Sequence, residues 1–301
     1  MTLLIGVDAG ASRSTAFVGD ERLNVVARAT GAAGALAPDT VPQAAAAILA
    51  TIRSAHPPGG TGRAQALVVG AAGAGREPER AELERALTQV GVADRVRVTT
   101  DIEIALVAAF GDGPGILLLA GTGSGACARL PDGGVRRTGG HGWQFGDEGS
   151  GYALARAALS AVARAGDGRG PATRLTAAAA RAAGVGATTE EILAWARTAP
   201  RGAVADLARV VQDAAAADDA VARALVQQTA EDLVTHVLAL VPHFAGDGPV
   251  PVALAGGLVR DRQPVRGAVA QRLAERVSRA RVQETLVEPP RGALLLASRL
   301  T

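Results

Sequence analysis

The chain has 301 residues, a formal net charge of +2 and an aromatic content of only 2%. This length allows two domains with substantial cores, because single cores usually stop growing near roughly 250–300 residues. The 31 basic residues are all arginines, and they are scattered along the chain instead of forming a stripe. The sequence therefore predicts no nucleic-acid partner.

Cys127 is the only cysteine, which excludes an internal disulfide and a multi-cysteine metal site and predicts a reducing compartment. No uninterrupted apolar run reaches the ~18 residues that a membrane helix needs. The amino terminus leads directly into a predicted strand, with no charged-then-apolar leader. We therefore expect a cytoplasmic protein with no membrane partner.

The first part of the chain predicts three strands, a helix, a strand, a helix, a strand and a helix. Short apolar runs bounded by turn residues predict strands at Leu3–Asp8, Ser14–Gly19, Asn24–Thr30, Ala66–Gly73 and Val96–Asp101. Segments with a period near 3.6 predict helices at Ala44–Ala55, Arg76–Val90 and Ile102–Phe110.

The second part repeats this order of elements. Its predicted strands are Ile116–Ala120, Ala126–Leu130, Val135–Thr138, Val250–Gly256 and Val282–Val287, and its predicted helices include Ala220–Val241 and Arg291–Leu300. The repeat predicts an α/β fold of two duplicated βββαβαβα domains that face each other across a cleft. The predicted domains are 1–113 and 114–289, with a helical insertion at about 165–240 in the second and the helix 290–301 packing on the first.

Two turns of small residues occupy matching positions in the two halves. Asp8 ends the first strand before the turn at 9–12, and a Gly-Thr-Gly-Ser-Gly turn follows the strand Ile116–Ala120. Small residues let backbone amides approach phosphate oxygens, and a carboxylate at a strand end can hold the Mg²⁺ that accompanies nucleotide phosphates. Either turn alone is also typical of an ordinary hairpin. The matched pair favours a nucleotide site, although the lysine of a Walker loop is missing.

Several other residues have both a structural and a functional interpretation. Asp101 follows a strand and begins a helix, where it would be an N-cap or a general base. Asp147 and Glu148 precede a helix, where they would cap it or accept hydrogen bonds from sugar hydroxyls. Gly256 and Gly257 would form a strand-to-helix turn or let a flat nucleoside lie against the backbone.

Five segments taken together resemble the N-acetylglucosamine kinases and the related BadF-type ATPases of the actin-like sugar kinase superfamily. They are Asp8 with its turn, Thr-Thr-Asp at 99–101, Leu-Ala-Gly-Thr-Gly-Ser at 119–124, Gly-Asp-Glu-Gly-Ser-Gly at 146–151 and Leu-Ala-Gly-Gly at 254–257. The resemblance covers almost the whole chain. It implies an actin-like (ribonuclease H-like) fold and a homodimer that uses ATP and Mg²⁺ to phosphorylate the 6-hydroxyl of a small amino sugar.

The resemblance also implies roles for individual residues. Asp101 would be the base that accepts the hydroxyl proton, and Asp8 would hold Mg²⁺, directly or through water. The residues expected to bind the ATP phosphates are Gly10, Ser12, Arg13, Gly121, Thr122 and Gly123, and those expected beside the adenosine are Gly256 and Gly257. The residues expected to contact the sugar are Gly73, Asp101, Ser124, Asp147 and Glu148.

The chain differs from the family at positions that affect which amino sugar is expected as the substrate. The first turn reads Ala-Gly-Ala-Ser where Gly-Gly-Gly-Thr is common, residues 31–39 lack the asparagine that helps relatives hold the sugar, and His141 stands where tryptophan is frequent. N-acetylglucosamine, glucosamine and a muramic derivative all remain open.

Three functions are alternatives to an amino-sugar kinase. An activator ATPase with an intersubunit iron–sulfur cluster needs several thiolates, and a kinase with a cysteine-rich zinc site needs several as well. The single cysteine argues against both. A non-catalytic regulator that binds sugar or nucleotide is the third alternative.

Overall fold

The computed structural model describes residues 3–55, 63–284 and 287–301 and divides the chain into two compact units. Unit 1 comprises residues 1–113 and 287–301, and unit 2 comprises residues 114–286. Each unit contains a five-stranded mixed sheet with packed helices. The predicted α/β class with two duplicated actin-like domains is confirmed.

Unit 1 has one sheet in the order β3-β2-β1-β4-β5. Its strands are β1 (Leu4–Ala9), β2 (Ser14–Gly19), β3 (Val25–Gly31), β4 (Ala64–Ala71) and β5 (Ala93–Thr100), and its helices are α1 (Val41–Ala55), α2 (Glu77–Val90), α3 (Asp101–Phe110) and the carboxy-terminal α10 (Pro289–Ser298). Strands β1, β4 and β5 are parallel, whereas β2 and β3 pair in antiparallel fashion.

Helices cover both faces of the sheet in unit 1. Ile5 and Val7 of β1 belong to a core formed with α1 and α2, while Leu4 belongs to a second core formed with α3 and α10. Successive residues of a strand point to opposite faces, so β1 needs apolar residues at almost every position. This requirement explains why β1 reads as a continuous apolar run instead of an alternating one.

Unit 2 repeats the topology, with its sheet in the order β10-β9-β6-β7-β8. Its strands are β6 (Gly115–Ala120), β7 (Ser124–Arg129), β8 (Val135–Gly139), β9 (Val250–Ala255) and β10 (Ala280–Val282), and its helices are α4 (Gly151–Gly166), α5 (Leu175–Ala183), α6 (Thr189–Thr198), α7 (Arg201–Ala216), α8 (Ala220–Leu240) and α9 (Pro264–Arg276). Helices α5–α7 have no counterpart among the described residues of unit 1. None of the helices in the described ranges is both long and apolar enough to cross a membrane.

The last predicted strand was wrong in its position. The sequence predicted a strand at Val282–Val287, but β10 begins at Ala280 and ends at Val282. Its ladder to β9 closes when the Gln283 amide donates to the Val252 carbonyl oxygen at 2.8 Å. The prediction was placed too late in the chain because apolar residues continue beyond this point. Part of the predicted strand, residues 285–286, lies outside the described residues.

Helix α10 packs on β1 and α3 at backbone contact distance. A Cβ atom added at Gly292 of α10 would lie 1.9 Å from the carbonyl oxygen of Ile104, and one added at Gly6 of β1 would lie 2.4 Å from the carbonyl oxygen of Pro290. Backbone atoms on the other side of each contact cannot rotate away as a side chain can. Glycine is therefore required at both positions for this packing.

We expect Gly292→Ala to destabilise unit 1 by about 1–3 kcal/mol, the usual cost of overpacking a filled core. The matched control is Gly267→Ala in α9, where a new Cβ meets nothing within 4 Å. That change should stabilise its helix by about 0.5–1 kcal/mol, because glycine is a poor helix former. Calorimetric unfolding of both variants measures the difference, and equal behaviour of the two would contradict the packing described here.

Candidate active site

The carboxyl ends of β1, β4 and β5 meet at one edge of the sheet in unit 1 because these strands are parallel. Asp8 pairs with Gly70 of β4, and the last residue of β4, Ala71, pairs with Thr100 of β5. Gly73 follows the end of β4, and Asp101 follows the end of β5. The structure thus brings together three of the predicted site residues: Asp8, Gly73 and Asp101.

Asp8 and Asp101 are close enough to interact electrostatically. Burial raises the pKa of Asp8, the negative charge of Asp101 raises it further, and Arg13 partly offsets both effects, which leaves the pKa at about 6. The ionised form of Asp8 is therefore less favourable than that of an aspartate in water. A cation bound beside Asp8 would relieve this cost.

The turn at 9–12 presents unused backbone donors. The Gly10 amide closes the turn by donating to the Arg13 carbonyl oxygen at 2.9 Å. Ala11 and Ser12 are exposed residues, and their amides donate to no acceptor within the described ranges. Adjacent free amides of this kind make an anion-binding turn.

The loop after β3 rests on this turn and on Gly73. The Gly34 amide donates to the Gly10 carbonyl oxygen at 3.1 Å, and the Leu36 amide donates to the Ala72 carbonyl oxygen at 2.7 Å. Gly73 has a positive φ of 85°, and a Cβ added there would lie 2.1 Å from the Leu36 carbonyl oxygen. Glycine at 73 is what allows this loop to lie across the strand ends. No signal in the sequence predicted the contact, because backbone groups distant in the chain make it.

Asp101 is the first residue of α3, and its Oδ1 accepts the Ile102 amide at 3.0 Å, but it is not the N-cap of the helix. The Thr100 hydroxyl oxygen accepts the Glu103 amide at 3.1 Å and caps the helix. The capping interpretation of Asp101 was therefore wrong. A Thr-x-x-Glu pattern at residues 100–103 is a known signal for a helix start and could have identified the cap.

In unit 2, amides in the first turn of α4 donate hydrogen bonds to the Gly-Thr-Gly-Ser turn. The Gly121 carbonyl oxygen accepts the Gly151 amide at 2.7 Å, and the Thr122 carbonyl oxygen accepts the Tyr152 amide at 3.4 Å. The Gly121 amide donates to the Gly123 carbonyl oxygen at 2.9 Å. In the part of the chain that the structure describes, the amides of Thr122 and Gly123 donate to no acceptor. This turn can therefore bind an anion as the first one can.

Residues 139–150, named here the acidic loop, are joined to this turn. Asp147 is 7% exposed and has a positive φ of 58°, and its carboxylate accepts the Ser124 amide at 3.3 Å. The Ser124 hydroxyl donates to the Glu148 carbonyl oxygen at 2.6 Å. Asp147 and Ser124 thus hold the acidic loop against the turn, whereas the side chain of Glu148 is exposed.

Neither acid of this loop caps α4. The Ser150 hydroxyl oxygen accepts the Ala153 amide at 3.1 Å and is the cap. The capping interpretation of Asp147 and Glu148 was therefore wrong. A serine that begins a long alanine-rich helix was the signal available in the sequence.

The glycine pair after β9 lies beside the residue that precedes the Gly-Thr-Gly-Ser turn. Gly256 has a positive φ of 109°, and a Cβ added there would lie 2.3 Å from the Ala120 carbonyl oxygen. Gly256 and Gly257 are both exposed. Because β6 and β9 are parallel, the turn and the glycine pair share one edge of the sheet in unit 2.

The described residues contain no cluster of three or more His, Cys, Asp or Glu side chains that would hold a metal by themselves. Mg²⁺ does not need such a cluster, because it is usually bound by one or two carboxylates together with substrate phosphates and waters. Asp8, at a strand end beside free amides, fits this kind of site.

Residues 5–297 match the BadF/BadG/BcrA/BcrD ATPase family. An N-acetylmuramic acid/N-acetylglucosamine kinase of Clostridium acetobutylicum is 30% identical over 198 residues, which make up 65% of this chain and 65% of that protein. The match thus spans slightly less than two thirds of the length of that relative.

Solved structures also resemble the chain. A candidate N-acetylglucosamine kinase from Chromobacterium violaceum is 32% identical, with a TM-score of 0.79 and 99% of each chain covered. A ROK family glucokinase from Streptomyces griseus, solved with glucose and AMPPNP, has a TM-score of 0.64 at 19% identity and 99% coverage of each chain. At that identity the second likeness shows the fold alone.

We expect Asp8→Asn to make the metal-free protein more stable at neutral pH. The folded state binds a proton at Asp8 more tightly than the unfolded state does, with a pKa of about 6 against 3.8. The wild type therefore loses stability as the pH rises from about 4 to about 6, and Asn avoids that loss. The advantage of the variant should be near zero below pH 4 and approach about 2–3 kcal/mol above pH 7.

Urea unfolding in EDTA at pH 4, 6 and 8 measures this difference. The control is Glu82→Gln, on the exposed side of α2, whose effect should not vary with pH in this way. A constant difference between Asp8→Asn and the wild type across the three pH values would show that Asp8 titrates normally.

Proposed function

The chain belongs to the BadF/BadG/BcrA/BcrD ATPase family, and on this premise we propose that it is an ATP-dependent kinase that phosphorylates the 6-hydroxyl of N-acetylglucosamine or glucosamine. The observation that carries the proposal is the proximity of the Asp8 and Asp101 carboxylates at a sheet edge that also has backbone amides without an acceptor in the described part of the chain. The likeness to the N-acetylmuramic acid/N-acetylglucosamine kinase of Clostridium acetobutylicum and to the candidate N-acetylglucosamine kinase of Chromobacterium violaceum supports N-acetylglucosamine as the sugar.

Asp101 is the proposed catalytic base. The sugar 6-hydroxyl attacks the γ-phosphorus of ATP, and its proton passes to the Asp101 carboxylate. A bond forms between the sugar oxygen and the γ-phosphorus, while the bond from the γ-phosphorus to the bridging oxygen breaks and releases ADP. The role is supported by the place of Asp101 beside Asp8 at the edge where parallel strands end, while Thr100 supplies the N-cap of α3.

The two turns of small residues are proposed to hold phosphate oxygens of ATP. Ser12 and Thr122 each contribute an amide with no acceptor in the described part of the protein. Arg13 adds a positive charge near Asp8. Phosphoryl transfer depends mainly on positioning and charge compensation, so fixed amides and a guanidinium suit this reaction. The exposed Gly256 and Gly257 are proposed to lie beside the adenosine.

Asp8 is proposed to hold Mg²⁺, directly or through water, and the ion would neutralise charge on the transferred phosphoryl group. The proposed sugar contacts are Gly73, Ser124, Asp147, Glu148 and Asp101. Among these, the exposed Glu148 side chain is best suited to accept hydrogen bonds from sugar hydroxyls, because the Asp147 carboxylate and the Ser124 hydroxyl already bond within the protein.

An activator ATPase is the alternative that the family name raises. Such proteins resemble this chain in fold, but at only 12–13% identity. Cys127 is buried in β7, and it is the single cysteine of the chain. An iron–sulfur cluster needs several accessible thiolates, so we favour the kinase.

The purified protein is expected to release ADP with N-acetylglucosamine or glucosamine, and to release little without sugar. A coupled assay across these two sugars, N-acetylmuramic acid, glucose and 6-deoxy-N-acetylglucosamine measures this. Turnover of the 6-deoxy sugar would contradict the choice of the 6-hydroxyl. No turnover with any sugar, together with measurable sugar binding, would favour a non-catalytic regulator.

Asp101→Asn should lower kcat by roughly 10²–10⁴, the usual contribution of a general base, while ATP and sugar still bind. The measurements are steady-state kinetics and calorimetric titration with each ligand. The matched control is Asp94→Asn, an exposed carboxylate near the start of the same strand, which pairs with Arg63. Full activity of Asp101→Asn would remove Asp101 from the role of base.

A further inference from the structure

The Glu148 carbonyl oxygen accepts hydrogen bonds from two side chains. The Ser124 hydroxyl donates at 2.6 Å, and Nε2 of His236, on α8, lies 3.3 Å away. A carbonyl oxygen can only accept, so Nε2 must carry the proton in this contact. His236 is 7% exposed, and the role of such a buried polar residue is set by the partners that it has.

The same histidine also contacts the beginning of the acidic loop. A Cβ added at Gly139 would lie 2.5 Å from Cε1 of the His236 ring, and Gly139 has a positive φ of 67°. The Thr138 hydroxyl donates to the His236 carbonyl oxygen at 2.9 Å. A single residue of α8 therefore touches the acidic loop at its first residue and near its end.

Helix α8 presents a continuous face to this loop. Thr229, Leu233 and His236 are spaced four and three residues apart, so they lie on one side of the helix, and all three are buried. A Cβ added at Gly149 would lie 2.9 Å from the Thr229 carbonyl oxygen and 2.6 Å from the Leu233 side chain. Gly149 thus rests on the same face on which His236 holds the Glu148 carbonyl group.

We propose that His236 is a positioning residue for sugar binding. It fixes the backbone of Glu148, and through the shared carbonyl group it also fixes the Ser124 hydroxyl at the end of the Gly-Thr-Gly-Ser turn. The proposal rests on the function proposed above, in which the Glu148 side chain binds sugar hydroxyls. His236 does not touch the sugar in this arrangement; it acts through the main chain of Glu148.

The requirement at this position is for a donor, not only for volume. Leucine would fill much of the space left by the ring and would offer nothing to the Glu148 carbonyl group. Glutamine places an amide NH₂ close to the position of Nε2 and restores the donor. The pair His236→Leu and His236→Gln therefore separates the hydrogen bond from packing.

The experiment compares steady-state kinetics of both variants with N-acetylglucosamine and ATP. His236→Leu should raise the KM for the sugar about tenfold, consistent with the loss of one buried hydrogen bond, with a smaller change in kcat and in the KM for ATP. His236→Gln should have a KM for the sugar within about twofold of the wild-type value. A matched control is Gln212→Leu. Gln212 is also a buried polar residue, and its Oε1 accepts a hydrogen bond of 3.2 Å from the amide of Val265, which is not part of the acidic loop.

Hydrogen exchange of the peptide that spans residues 139–151 gives a readout that needs no turnover. His236→Leu should speed exchange there, whereas His236→Gln and Gln212→Leu should not. If the wild type phosphorylates no sugar, the proposed function fails, and the exchange result still tests whether His236 orders the loop. An unchanged sugar KM and unchanged exchange in folded His236→Leu, or equal impairment in both His236 variants, would overturn the proposal.

Discussion

The parallel pairing of β1, β4 and β5 is the constraint on which the candidate site of unit 1 depends. Parallel strands end at one edge, so the chain can place Asp8 and Asp101 near each other although 93 positions of sequence number separate them. Burial and like charge then make the ionised Asp8 unfavourable without a ligand. Such an arrangement lowers the stability of the empty protein and favours the binding of a cation or of a phosphate with its counterion.

Most of the fold could be predicted from the sequence, because a sheet with helices packed on both faces needs continuous apolar runs in its central strands. Continuous apolar runs ended by small residues located β1 and β6, and their repetition in the same order revealed the duplication. Edge strands carry a weaker pattern, since one side of the ladder has no partner. This weakness explains why β10 was predicted beyond its true end at Val282.

The candidate site was predictable in part. The turns and their carboxylates have local signatures, and the structure brings Asp8 and Asp101 together in unit 1 and Asp147 beside the turn at 121–124 in unit 2. Thr100 and Ser150 are helix caps with local sequence signals, a Thr-x-x-Glu pattern and a serine before an alanine-rich helix. His236 had none, because its contacts depend on how α8 packs against a loop some ninety residues earlier in the chain.

The packing of α10 on β1 and α3 has a consequence for biosynthesis. Residues of α10 complete the apolar face formed by Leu4, Phe17 and Val68, which are translated well before this helix. While the ribosome translates everything between them, this face lacks its covering helix. Nascent unit 1 therefore exposes apolar surface until α10 has been synthesised, and a product that stops before this helix would be prone to aggregation.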